Sequence, residues 1–355
     1  NSGFFATNLL TANPSITGNR KLFIGNGVPD GGTEGGDVVV GGDAGSLTLS
    51  TGTLTVGHIT FVGTYGSGTF TQNGGTHSLG RALVVGDTAG QPGTYNLNNG
   101  LLTTNAGDNY VSIGDDAGSN GTFNFNNGTL NTVSLDVGYR GTGKYDQFGG
   151  AADFRGANYG LRIAVFPGSN GTARELGGTL NTDALVVGGY LAASGGTGKL
   201  VVQGGNVDVA GPLKVWNNGT VEFNSGQMST DGIELRGGGK IILSPGGTKA
   251  LRNDGGGFAV DTSLGSKIDL ADRMVVTDIA GMSRSQLRAF IVAGRNGGNW
   301  MGSGITSSAA ATHPNAAIGF SDSTHLFNIF PATWLGQTGI DSTSYLITYT
   351  LKGDA

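Results

Sequence analysis

The sequence predicts an all-β fold: a right-handed, single-stranded parallel β-helix, three strands per turn, closed by a C-terminal cap with one short α-helix. Three observations carry this. Glycine supplies 69 of the 355 residues. An apolar-Val-Gly unit recurs about every 25 residues. Equivalent points of that unit form two apolar series.

Composition narrows the field first. Glycine is far above its usual ~7%, yet no Gly-X-Y period is present, which excludes collagen. Hydrophobic residues make up 37% of the chain, enough to bury a core, so this is not a flexible linker. Length alone allows two domains, but a solenoid grows along one axis without dividing. Charged residues are only 13%, the net charge is −5, and no Lys/Arg run occurs, which argues against a nucleic-acid partner. Without cysteine there are neither disulfides nor thiolate metal sites. No apolar stretch is long enough for a membrane-spanning helix. The start at Asn1 reads as a mature, processed chain.

The repeat reads apolar-Val-Gly, a polar turn, Gly-Thr-aromatic, then Asn-Gly or Gly-Gly before Thr-Leu. Clear copies are Val84-Val85-Gly86 with Gly93-Thr94-Tyr95 and Asn98-Asn99-Gly100-Leu101, and Ile113-Gly114 with Gly121-Thr122-Phe123 and Asn127-Gly128-Thr129-Leu130. Later copies drift, as in Ile163-Ala164 with Gly171-Thr172-Ala173. Each contains three short runs alternating apolar and polar between glycines, the pattern of strands with one buried face. A propeller blade is too long for this period, and no leucine ladder supports a leucine-rich repeat.

Stacking the turns at about 4.8 Å sets equivalent residues above one another. One inward column is Val40, Val62, Val85, Ile113, Val137, Ile163, Val187 and Val215, all β-branched, as a stacked strand interior favours. The other is Phe70, Tyr95, Phe123, Tyr145, Ala173, Leu200 and Val221. Glycines fall at the corners, where the chain turns or passes close to its neighbour. Asn73, Asn99 and Asn127 recur at the second corner, either as an amide ladder or as turn residues that tolerate left-handed backbone.

The ends need different treatment, because a solenoid's terminal turns leave backbone and apolar surface open. Residues 1–37, with Phe4-Phe5-Ala6 and Leu22-Phe23-Ile24, form an N-terminal cap or an intersubunit strand. The repeats occupy 38–267 and the cap 268–355. Within the cap a helix is expected near 284–293, N-capped by Ser283, with Leu287, Phe290 and Ile291 on one face and Gly294 at its stop.

No metalloprotease, nucleophile-elbow or phosphate-loop motif occurs, so no catalytic residue is assigned. His58, His77, His313 and His325 are scattered and read as surface or turn residues. The acidic turns Asp43, Asp87, Asp115 and Asp116 follow the first-strand glycine and would align along one corner. Gly-Asp is ordinary turn chemistry, but stacked carboxylates are a candidate calcium site or an acid/base pair for polysaccharide cleavage. Calcium is the one cofactor these turns suggest, although the Gly-Gly-x-Gly-x-Asp repeat is absent.

The cap carries a resemblance. Arg288-Ala289-Phe290-Ile291-Val292-Ala293-Gly294-Arg295-Asn296-Gly297-Gly298-Asn299-Trp300, then Gly304-Ile305-Thr306-Ser307-Ser308-Ala309-Ala310 and the closing Tyr349-Thr350-Leu351-Lys352-Gly353-Asp354-Ala355, resemble the ends of large secreted β-helical proteins of planctomycete-type bacteria. Those proteins have glycine-rich, autotransporter-associated or PEP-CTERM-like repeats. The resemblance implies secretion, a cell-surface or matrix role, and a dockerin-like or sorting segment following Gly353-Asp354-Ala355.

Together these readings predict a non-enzymatic extracellular structural protein. It would be a subunit of a fibre, sheath or matrix, and its main partner would be another copy of itself, met head to tail. The alternative is a carbohydrate-active or glycan-binding β-helix, or an adhesin passenger. Extracellular polysaccharide would then be the partner, and Tyr139, Tyr159 and Trp216 its outward platforms.

Overall fold

Within a repeat, the glycine-bounded runs become three strands, as in Ile59–Val62, Gly68–Gln72 and Thr76–Leu79. A computed structural model describes residues 8–10, 15–16, 22–24, 37–42, 44–104, 109–155, 160–246 and 250–353. Phe4-Phe5-Ala6, Asp43 and Tyr159 lie outside the described residues. Successive turns pair in parallel, forming a β-solenoid with three faces. The first strands of the turns build one 11-stranded sheet, from Leu22–Ile24 to Phe258–Val260. The second and third strands belong to a continuous 23-stranded sheet.

On the first face Val40 pairs with Val62, Val62 with Val85, and so on through Ile113, Val137, Ile163 and Val187 to Val215. The column continues into Leu235 and Val260. On the second face Phe70, Tyr95, Phe123, Tyr145, Ala173, Leu200 and Val221 are in register, and all are buried. The rings of Phe70 and Tyr95 stack at 4.8 Å and those of Tyr95 and Phe123 at 5.0 Å, the spacing that one turn imposes. Leu83, Val111, Leu135, Leu161, Leu185 and Leu213 form a further inward column on the first face.

The corner after the first face explains its glycine. Gly86, Gly114 and Gly138 have φ of 73°, 71° and 74°, a region costly for residues with a Cβ. A Cβ on Gly114 would also lie 2.3 Å from the Thr142 carbonyl oxygen of the next turn. The sixth copy places Ala164 here at φ 58°, so the repeat accepts that strain once.

Several expectations are corrected. The asparagine ladder forms one residue earlier than Asn99 and Asn127: Asn98 Nδ2 donates to Asn73 Oδ1, and Asn126 Nδ2 to Asn98 Oδ1, both at 2.7 Å. Strand alternation decides this, because Asn98 continues the outward parity of Thr94 and Asn96. Gly294 does not end the helix, which spans Arg284–Arg295 with Asn296 as its left-handed C-cap. Gly294 sits inside it because a Cβ there would meet the Ile305 carbonyl oxygen at 1.9 Å.

Ser283 and Gln286 form a capping box, which satisfies N–H groups left open by the first turn. Leu287 and Ile291 are buried, and Phe290 packs on the core beside Phe258, ring centroids 6.3 Å apart. The parallel ladder itself runs past residue 267: Ile268 pairs with Ile241, and Ile305 with Ile268. Strand Ser344–Leu351 then pairs antiparallel with Met274–Asp278 and Ala316–Asp322, covering an edge that would otherwise stay open.

Candidate functional site

The second-face strands alternate buried and half-exposed residues, but several first-face strands do not. Val38–Val40, Ala82–Val85 and Ser134–Val137 are buried throughout. Val84, Ser112 and Asp136 occupy the outward parity of this face and pair in one column. They are nevertheless at most 3% exposed, so their neighbours roof them. Phe61 and Tyr110 pack over Ile59, Ala82 and Val84. The Arg162 guanidinium closes on Asp136, donating from Nε and Nη2 at 2.6 and 2.7 Å. This paired, planar geometry is the strong form of such a contact.

Beside this pair opens a hollow of about 350 Å³, lined by Tyr110, Asp115, Asp136, Tyr139, Arg140 and Arg162, among others. Burial pushes the Asp136 carboxyl up, and Arg162 opposes that shift. Burial likewise raises Asp115; the Ser112 hydroxyl at 2.5 Å holds it back, while Asp87, Asp116 and Asp136 push it further up. Asp87 is raised by burial against a hydrogen bond from Thr64 at 3.0 Å. The phenol of Tyr110 is raised by burial and by nearby Asp115.

Asp87 and Asp115 are thus neighbours along one corner, linked through the backbone contact of Asp115 to Gly86. Asp116 lies one residue on and approaches Arg140 at 3.9 Å. Asp43 lies outside the described residues. Among the described residues no three His, Asp or Glu side chains converge as a metal site.

Further along, the same corner changes chemistry. The Arg140 backbone N–H donates to the Asp115 backbone carbonyl and that of Phe166 to the Tyr139 carbonyl, so the acidic turns lead into aromatic ones. Tyr139 meets Phe166 edge-on at 4.9 Å, and Phe166 lies 6.0 Å from Tyr190. Trp216 donates its indole N–H to the Tyr190 carbonyl at 2.8 Å. Tyr139, Phe166, Tyr190 and Trp216 are all half-buried. The Asp136–Arg162 contact and the parts played by Phe166 and Tyr190 were not singled out from sequence. The signal was present: Asp136 and Arg162 each sit one residue before the valine-isoleucine column.

The most strongly shifted groups lie inside the solenoid. His77, expected at the surface, is fully buried because its register partners are Leu54 and Leu102. Its ring stacks on Phe70 at 4.8 Å, and burial lowers its pKa to about 3. The Tyr95 hydroxyl donates to Gln72 Oε1 at 2.7 Å and lies 2.9 Å from His77 Nδ1, while the Thr60 hydroxyl lies 3.1 Å from Nε2. Glu175 is buried with neither carboxyl oxygen hydrogen-bonded, and burial pushes it up to about 9. His58 pairs with the buried Asp37 at 2.8 Å and accepts from Arg81 at 3.0 Å; His313 and His325 are exposed.

No protein-family model, curated protein or solved structure matches the chain.

Proposed function

We propose that this chain is a non-enzymatic extracellular structural rod, a subunit of a surface fibre, sheath or matrix that meets copies of itself end to end. The observation that carries this reading is that its flanks are bonded from turn to turn by side chains as well as by backbone. Asn73, Asn98 and Asn126 form one ladder. Arg174 holds Asp146 through two bonds, of 2.6 and 2.5 Å. Arg155 reaches Asp153, Asp183 and Asp208 at 3.3, 3.9 and 3.0 Å, and Lys199 reaches Glu222 at 2.8 Å. Surface polar groups spent in this way stiffen a repeat protein, whose stability is a sum of neighbour-to-neighbour terms.

Exposed apolar residues at this end support end-to-end contact: Val292 and Met301 in the cap, and Leu264 just before it. A contact between unlike ends propagates instead of closing. Negative-stain microscopy of the purified chain over rising concentration is expected to reveal end-to-end rods, shortened by Val292→Asp or Met301→Asp. Dispersed single particles at every concentration would contradict the reading.

A further inference from the structure

We infer that the outer surface of the first face, with the corner beside it, is a binding strip for an extended neutral polysaccharide lying along the rod. Three features point to that ligand class. The first is the row of half-buried rings Tyr139, Phe166, Tyr190 and Trp216 on successive turns of one corner. The C–H faces of a sugar ring are apolar and pack on aromatic rings, which combine large apolar area with a polar edge. A row with one ring per turn, spaced 4.9 and 6.0 Å where ring centroids meet, suits an extended chain lying along the turns better than a coiled one.

The second feature is the hollow at the head of the row. Its walls are Tyr110 and Tyr139, and its polar groups are Asp115, Arg140 and the Asp136–Arg162 pair. Vicinal hydroxyls are both donors and acceptors, so the Asp115 carboxylate and the Arg140 guanidinium can satisfy the two roles, while buried Asp136 holds Arg162 in place. A few placed polar groups within a concave aromatic surface is the usual make-up of a small-ligand site.

The third feature is charge. Arg140 lies 4.9 and 5.3 Å from the Tyr139 and Phe166 ring centroids, and Lys214 lies 4.7 Å from the ring of Trp216. Each cation has a carboxylate partner: Asp116 for Arg140, Asp136 for Arg162 and Glu234 for Lys214. A strip so balanced offers hydrogen bonds without net attraction for a polyanion, which selects an uncharged polymer.

This inference is independent of end-to-end assembly, since it uses the flank of the rod and not its ends. Affinity electrophoresis of the full chain in gels containing hydroxyethyl cellulose, glucomannan or xylan tests it, with alginate as the polyanionic control. At least one neutral polymer should retard the chain, with retardation persisting in 0.5 M salt, roughly where charge-driven binding is screened. The double variant Tyr139→Ala/Phe166→Ala should lose at least about tenfold in affinity, the scale of one or two lost ring contacts. Tyr139→Trp should retain binding.

Tyr190→Ala/Trp216→Ala, two turns away, provides a second reading should the first variant lose its far-ultraviolet β signature. Retardation by alginate alone, abolished by salt, overturns the proposal. So does the absence of retardation by all three neutral polymers, or full binding by both double variants.

Discussion

Around Tyr95 the solenoid interior holds a continuous chain of hydrogen-bonded side chains, whereas around Glu175, three turns on, it holds a carboxyl with no hydrogen-bond partner. The first region links Thr60 to His77, His77 to Tyr95 and Tyr95 to Gln72 by successive hydrogen-bond contacts. Gln72 also donates to the Gly75 and Leu101 carbonyls at 3.2 and 3.0 Å. In the second, Tyr145 donates to Gln147 Oε1 at 2.8 Å and Gln147 to the Thr179 carbonyl at 3.0 Å; Glu175, stacked on Gln147, is left out. Both regions sit in the same columns. The difference shows that a stacked interior tolerates polar atoms when neighbouring turns answer them, and pays in ionisation when they do not.

The largest effect should come from the ring that separates the two regions. Phe123 lies between Tyr95 and Tyr145, 5.0 and 5.8 Å away. Phe123→Ala is expected to cost about 3–5 kcal/mol in urea unfolding, the range for a fully buried ring replaced by a cavity. A cost below about 1 kcal/mol would mean that the column collapses to fill the gap.

Next is Glu175→Gln, with the opposite sign. The folded pKa of about 9 lies above the ordinary 4.5, so the native state binds a proton that the unfolded chain releases. Stability from this group is therefore complete below pH 4.5 and is lost as pH rises toward 9. The amide removes that slope and should stabilise by roughly 3 kcal/mol at pH 7, with no gain from this source below pH 4.5. His77 sets the reverse edge: its folded pKa of about 3 lies below 6.5, so stability is lost as pH falls from 6.5 toward 3. Unfolding free energies across pH 3–9 for both chains check the two slopes.

A smaller loss is expected for Tyr95→Phe, which leaves Gln72 Oε1 and His77 Nδ1 short of a partner. About 1–3 kcal/mol is the ordinary cost of such an orphaned group. If it instead matches the cost of the analogous Tyr145→Phe within error, the chain of side chains adds nothing beyond a single bond. Smallest is Asn98→Ala in the exposed ladder, at about 0.5–1.5 kcal/mol, measured by the same denaturation.

Much of this was legible in the chain. Period-2 alternation and a repeated Gly-Thr made the register of Val40 to Val215 and Phe70 to Val221 readable, because a one-residue slip would turn each series outward. The same alternation placed His77 inward opposite Leu54 and Leu102; the usual exposure of histidine concealed it. Asn98 and Asn99 are adjacent and identical, so only strand parity separates ladder from turn. Gly294 reads locally as a helix stop, yet its reason is the Ile305 backbone, a contact that sequence spacing cannot supply. The first-face strip was legible only in part, at Tyr139 and Trp216 but not at Phe166 and Tyr190. Its aromatic residues stand one, two or three places beyond the column residue, since the corner varies in length from turn to turn.

The register is the claim on which the rod, its ladders and its strip all depend. Having no native cysteine, the chain accepts a single pair of spin labels cleanly, and Thr94 and Thr220 are both half-buried on the outer second face. They are joined through Thr122, Lys144, Thr172 and Lys199 by successive parallel pairings. Dipolar electron-resonance measurement on Thr94→Cys/Thr220→Cys should return one narrow distance near 24 Å, about five turns at 4.8 Å each. A broad distribution, or one centred beyond about 35 Å, further than five stacked turns and two label arms can reach, would contradict the stacked register.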